Sequence, residues 1–268
     1  DWNSDVCSSD LGKGNNKIRM LFEEWRTLFG QVADLTRAQE EAIRRAVPLA
    51  AHLPEKDAVA GLLFVVHTYN AFVMKMLAAE IVSEHGLSAY PDFCEHLLGL
   101  EDNDLLERLN EEIERSAFFE AARIKGFVEE AVFSWYADTS LSPKGRSSIA
   151  TAIRSLVTQL ALYRMDDLSA ARSRDVLKSF YQALVPDTLR KALGEFYTPD
   201  WLVDIACDRA EVKAWLKVRA LDPTRGSGSF LLDVIPRNRL APCAKAVPPK
   251  DAADLILDTD RGSELNAW

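Results

Sequence analysis

Asp222, Gly226, Gly228 and Ser229 lie within eight residues of one another, in the stretch Leu221-Asp222-Pro223-Thr224-Arg225-Gly226-Ser227-Gly228-Ser229-Phe230-Leu231. The apolar approach through Val218, Ala220 and Leu221 reads as the end of a buried parallel strand. An acid follows at its tip, then two glycines one residue apart. The apolar run Phe230, Leu231, Leu232, Val234 and Ile235 can open a helix. A strand, a glycine turn and a helix in that order present backbone N–H groups at a helix N-terminus, where a ligand can come close. Glycine lacks Cβ and permits that approach.

Three nucleotide ligands compete for such a loop. A phosphate-gripping loop ends in Gly-Lys-Ser/Thr, whereas Gly228 is followed by Ser229-Phe230. A dinucleotide fingerprint needs a third small residue where Leu231 stands and an acid about 20 residues on, where this chain has Lys245 and Val247. S-adenosyl-L-methionine has no phosphate and needs no lysine. Its ammonium suits an acid such as Asp222. A nuclease pattern is also present: Pro199-Asp200 followed by Glu211-Val212-Lys213. It requires a sheet edge that gathers acids around magnesium, and here the Pro-Asp pair reads as a helix start.

With these residues in view, Asp222-Pro223-x-x-Gly226-Ser227-Gly228-Ser229-Phe230-Leu231 resembles motif I of the N6-adenine DNA methyltransferases, nearest to type I modification subunits and fused type IIG restriction-modification enzymes. Leu193-Gly194-Glu195-Phe196-Tyr197-Thr198-Pro199 is similar to their motif X, and Gly262-Ser263-Glu264-Leu265-Asn266 to their motif II. The likeness spans about Asp175 to Asn266, roughly a third of the chain. Arg225 departs from the small residue usual at its position, and Ala267-Trp268 from the usual Pro-Leu.

The resemblance implies a cofactor, S-adenosyl-L-methionine, and a set of residues around it. Tyr197, Thr198 and Pro199 would shape the methionine end, and Asp222 would take the ammonium. The Gly226–Gly228 turn would pass beneath the ligand, flanked by the motif I residues Pro223 and Phe230. Glu264 would take the ribose hydroxyls. Each has a plainer reading: Tyr197 as a core aromatic, Asp222 as a helix cap, Glu264 as surface. The family binds its extruded adenine with an Asn/Asp-Pro-Pro-Tyr/Phe loop. No such tetrapeptide occurs in these 268 residues, where the one Pro-Pro pair, Pro248-Pro249, precedes Lys250. No catalytic residue is therefore assigned, and the polypeptide by itself is not expected to transfer a methyl group. The family's partners would be DNA, bound through regions largely outside this sequence, and restriction-system subunits. An α-helical protein-interaction module with a non-functional truncated tail is the alternative. It predicts proteolytic trimming near Gly194.

The elements that must position these residues divide in two. Residues 1–11 have no period and resemble a translated sequencing adapter; with the lead-in to Asn16 they are set aside. Residues 17–193 read as an all-α domain. Ile18, Leu21, Phe22, Trp25 and Leu28 follow helical spacing, and Thr36-x-x-Gln39 matches a capping box. Asp57 to Glu84 carries a broad apolar stripe of Val59, Leu62, Leu63, Val66, Tyr69, Val73, Met76, Leu77 and Ile81. Helices are expected over Leu105–Phe119 and Ile124–Tyr136, from Ser142-Pro143 to about Tyr163, and over 175–184 and 186–193. Residues 194–268 read as the incomplete start of an α/β, Rossmann-like methyltransferase domain. Thr198-Pro199 would cap its first helix, a strand would occupy Ala214–Leu221, and Pro236 and Pro242 would limit the crossover helix. Asp251–Leu257 would be helical, and a short strand would end near Glu264. The fold class expected is mainly α.

Composition sets limits. The net charge of −9 is unexpected for a protein that grips DNA alone. Residues 101–140 hold eleven acids and four bases, residues 141–191 nine bases and four acids. Phosphate contact therefore belongs more naturally on the second segment. Cys7, Cys94, Cys207 and Cys243 are scattered, which suits reduced thiols and a cytoplasmic setting. Cys94, His96 and His85 are too few to suggest a metal. The longest wholly apolar run, Ala58–Val66, is too short to span a bilayer, so no membrane partner is expected.

Overall fold

The computed structural model describes residues 16–28, 36–46, 56–127, 131–162, 178–179, 182, 190, 197–210, 220–222, 228–240 and 260–262. Helix accounts for 76% of them, so the chain is mainly α. It divides into two compact units, Asp1–Asp167 with Pro186–Leu193, and Leu168–Val185 with Gly194–Trp268. Leu168–Val185 is thus grouped with the C-terminal residues and not with the helices before it.

The first unit is built around α3 (Lys56–Glu84), with α1 (Asn16–Leu28) and α2 (Arg37–Ala46) against it. The helical spacing in α1 is realised as a buried face of Ile18, Leu21 and Trp25. Chain entry into α2 follows Thr36, whose carbonyl accepts the Glu40 N–H at 3.0 Å. The expected stripe of α3 proves too narrow. Phe64, Val65, Phe72, Ala78, Ala79 and Val82 are buried as well as Val59, Leu62, Leu63, Val73, Met76 and Leu77. A helix enclosed on most sides is apolar nearly all round. By length and composition Val59–Glu84 could cross a membrane, but 72% of its most apolar window is buried within the protein. Thr68, buried on this helix, is bonded on both sides: its Oγ1 donates to Phe64 O at 2.9 Å and accepts the Trp135 indole N–H at 2.7 Å.

Two expected helices are broken. After α4 (Phe93–Leu98), the stretch Leu105–Phe119 is not one helix: α5 (Asp102–Arg108) runs into a π-helical turn at Leu109–Glu114, and α6 (Ala117–Ala121) follows Ser116 at φ 61°. The widened turn ends at Glu114, whose buried carboxylate meets Lys75 at 2.7 Å and the Tyr136 hydroxyl at 2.6 Å. That tertiary demand outweighs local helix preference. Ile124–Tyr136 is not one helix either. Gly126 adopts φ 67°, a left-handed conformation that ends helical continuation, and Ala131–Ala137 forms a 3₁₀ turn that buries both Trp135 and Tyr136. Helix α7 (Pro143–Leu160) starts as the sequence predicts: Ser142 Oγ accepts the Gly145 N–H at 3.1 Å, with Pro143 in the first turn. Helices α4 and α5 pack on α7.

In the second unit, α8 (Asp200–Arg209), β1 (Ala220–Asp222), α9 (Ser229–Leu240) and β2 (Asp260–Gly262) follow in order. β1 and β2 pair in parallel, with Ala220 opposite Asp260, Leu221 opposite Arg261 and Asp222 opposite Gly262. The Thr198-Pro199 expectation needs correction. Pro199 itself is the capping residue, extended at φ −61° and ψ 142°, with no side-chain cap; its carbonyl accepts Leu202 N–H at 3.0 Å and Val203 N–H at 3.2 Å. Nor does Pro236 limit the crossover helix, because α9 runs through it to Leu240. The carbonyl it leaves without a helical partner belongs to Leu232, an exposed residue where water can serve. Most of the expected strand Ala214–Leu221, the helix over 251–257 and most of the helices over 175–184 and 186–193 lie outside the described residues.

Candidate functional site

The strand β1 and helix α9 are positioned by a small apolar core. Val203 and Cys207 on α8 meet Val234 on α9, with Ala220 of β1 and Phe230 of α9 packed against them. Phe230 is thereby half-buried core as well as a motif residue. Gly228, the last residue before α9, has φ 82° and is buried. An L side chain is strained in that region, so the glycine is required by the backbone itself. Its carbonyl accepts the Leu232 N–H at 2.9 Å and starts the helix. Asp222 closes β1 and is half-buried.

One side chain that sequence reading missed ties the site together. Lys178, in a helical turn, is only 8% exposed. Its Nζ donates to Thr198 O at 2.8 Å, Asp200 Oδ1 at 2.8 Å and Ser229 Oγ at 3.1 Å. An ammonium has three donors, and these three oxygens are within reach of them. The segment 197–200 is thus joined to the first turn of α9. No spacing rule could have found this, since the partners lie 20, 22 and 51 residues away.

A second tie holds α8 to α9. Arg237 donates from Nε to Asp233 Oδ2 at 2.5 Å and from Nη1 to Asp208 Oδ1 at 2.6 Å. Its other nitrogen approaches Asp204 Oδ1 at 3.9 Å. The Asp233–Arg237 pair has the i, i+4 spacing of a helical ion pair, a signal present in the sequence. Beside it, burial pushes the Cys207 thiol up to about 11, with Asp233 adding to the shift. Cys207 is packed in the core between α8 and α9.

Of the predicted site residues, Tyr197 and Thr198 are half-buried, and Pro199 is exposed at the start of α8. Asp222, Gly228 and Phe230 lie on the β1–α9 connection and its helix. The Lys178 contacts bring Thr198 to the turn that Gly228 ends. Pro223, Gly226 and Glu264 lie outside the described residues. Glu264 comes two residues after Gly262, the register partner of Asp222. Asp200 opens α8 and pairs with Lys178; Glu211 and Lys213 of the nuclease pattern lie outside the described residues. Among the described residues no group of three or more His, Cys, Asp or Glu side chains could hold a metal ion. His96 stacks on Tyr90 at 4.3 Å, His85 Nδ1 bonds Ile81 O at 2.8 Å, and Cys94 N–H bonds the Glu80 carboxylate.

Comparison of the chain with protein-family models, with curated proteins and with solved structures gave no match.

Proposed function

We propose that residues 194–268 are the start of a Rossmann-like domain that binds S-adenosyl-L-methionine. The chain would then be the N-terminal part of a site-specific DNA adenine-N6 methyltransferase of a restriction-modification or phage-defence system. One observation carries this reading: β1 ends in Asp222, Gly228 turns at φ 82° into α9, and β2 returns parallel beside β1. Ligands of open α/β sheets bind beyond the carboxyl ends of such strands.

The residues fit a cationic amino-acid ligand better than a phosphate. Lys178 reaches the first turn of α9, where a phosphate-binding lysine would act, but its donors are engaged by Thr198, Asp200 and Ser229. Asp222 supplies the acid that the ligand's ammonium requires. Tyr197, Thr198 and Pro199 bound the methionine end, and Glu264 is assigned the ribose hydroxyls. Bound S-adenosyl-L-methionine supplies a methyl group activated by its sulfonium. The protein's part is to hold that donor in one orientation, where alignment lowers the barrier. DNA and other restriction-system subunits are the proposed partners, and the cytoplasm the proposed location.

Titration calorimetry with S-adenosyl-L-methionine tests the reading. Wild-type protein is expected to bind, and Asp222→Ala to bind at least about tenfold more weakly, as expected when a charge-assisted contact is lost. Absence of binding by the wild type, or equal affinity in the variant, overturns it.

A further inference from the structure

We propose that Lys178 is a positioning residue for the methionine end of the donor pocket, which rests on the methyl-donor reading of the site. Three features set it apart from an ordinary surface lysine. It is 8% exposed, so its ammonium has left bulk water and needs partners. It finds three oxygens from two separate stretches of chain: Thr198 O, Asp200 Oδ1 and Ser229 Oγ. And it stands at the N-terminus of α9, where a positive charge is unfavourable for the helix. Lys178 is thus not placed to stabilise α9. Its position makes sense as a tie between α9 and the Tyr197–Pro199 segment.

The contact to Thr198 matters most. Its acceptor is a backbone carbonyl, so the bond orients the peptide between Thr198 and Pro199 directly. Pro199 then caps α8 through its own carbonyl. The same ammonium grips Ser229, the residue after the left-handed Gly228. Lys178 therefore sets the separation between the segment assigned to the methionine end and the turn assigned to pass beneath the ligand. A planar guanidinium cannot present three donors from one point to three converging oxygens, so arginine is not an equivalent.

Lys178→Met and Lys178→Arg, each compared with wild type, test the assignment through two readouts. The first is hydrogen exchange at Leu202, Val203 and Leu232, the amides bonded to Pro199 O and Gly228 O. The second is calorimetry with S-adenosyl-L-methionine and with 5′-methylthioadenosine, which lacks the amino-acid end. Lys178→Met is expected to speed exchange at all three amides. It is also expected to weaken S-adenosyl-L-methionine about tenfold, the scale of a lost charged hydrogen bond, with 5′-methylthioadenosine within about twofold of wild type. Lys178→Arg keeps the charge and the Asp200 pair, and is expected to show the same ligand split in a smaller degree. Unchanged exchange in both variants overturns the tie. Equal weakening of both ligands overturns the positioning role in favour of general support. Failure of the wild type to bind either ligand overturns the donor reading itself, and is told apart because it needs no variant.

Discussion

Lys75 and Glu114 form an ion pair at 2.7 Å inside the helical unit, 39 residues apart in the chain. The Glu114 side chain is 1% exposed and that of Lys75 12%, and the Tyr136 hydroxyl donates to the other carboxylate oxygen at 2.6 Å. Burial and the neighbouring Glu114 hold the Tyr136 hydroxyl well above its ordinary pKa, so it remains a donor at any working pH. Removing one member strands the others. Glu114→Ala is expected to cost about 3–5 kcal/mol, and Tyr136→Phe about 1–2 kcal/mol. Replacing all three by apolar residues, Lys75→Met with Glu114→Leu and Tyr136→Phe, is expected to recover most of the loss. Urea unfolding of the three variants checks the order.

His67 predicts a pH dependence. It is buried beside Trp25, ring centroids 5.7 Å apart, and burial lowers its pKa from 6.5 to about 4. Between those values the unfolded chain binds a proton that the folded chain refuses. Stability is therefore complete above pH 6.5 and falls as pH drops toward 4, by on the order of 3 kcal/mol. His67→Leu is expected to flatten that slope. Urea midpoints at pH 7 and pH 4.5 for both proteins measure it, and an equal slope in both would exclude His67 as the cause.

Arg237 links Asp233 on its own helix to Asp208 on α8. The Asp208 side chain is 68% exposed, so that pair contributes little; Asp233, at 9%, is bonded by Arg237 and by the Cys207 thiol. Arg237→Met is expected to destabilise the α8–α9 pair by about 1–2 kcal/mol. Faster hydrogen exchange in 200–209 and 229–240, with α7 unchanged, is the expected pattern.

Gly228 offers a backbone test. At φ 82° an alanine is expected to cost about 1–2 kcal/mol, while asparagine, which tolerates the left-handed region, costs less. Exchange at Leu232, bonded to the Gly228 carbonyl, reads the difference without any ligand. Equal effects from Ala and Asn would point to side-chain crowding instead of backbone strain.

The local signals proved readable where one stretch of chain decides the outcome. Ser142-Pro143 caps α7, the spacing of Ile18, Leu21 and Trp25 becomes a buried face, and Gly228 stands where a left-handed turn precedes a helix. The break at Glu114 was not readable in the same way. The apolar pattern continues through it, and the competing partners, Lys75 and Tyr136, come from other elements. Pro199 likewise replaces Thr198 as the capping residue of α8, where Lys178 holds the preceding carbonyl.

By itself the amino-acid order determined the mainly helical content, the Ser142 cap, and the acid and left-handed glycine of the β1–α9 connection, because each depends on residues a few positions apart. Only the tertiary structure decided that Lys178 joins Thr198 to Ser229, that Arg237 clamps α8, and that Glu114 interrupts a helix. Those contacts depend on which distant oxygens a buried charge must find once water is excluded, and no periodicity in the chain records that choice.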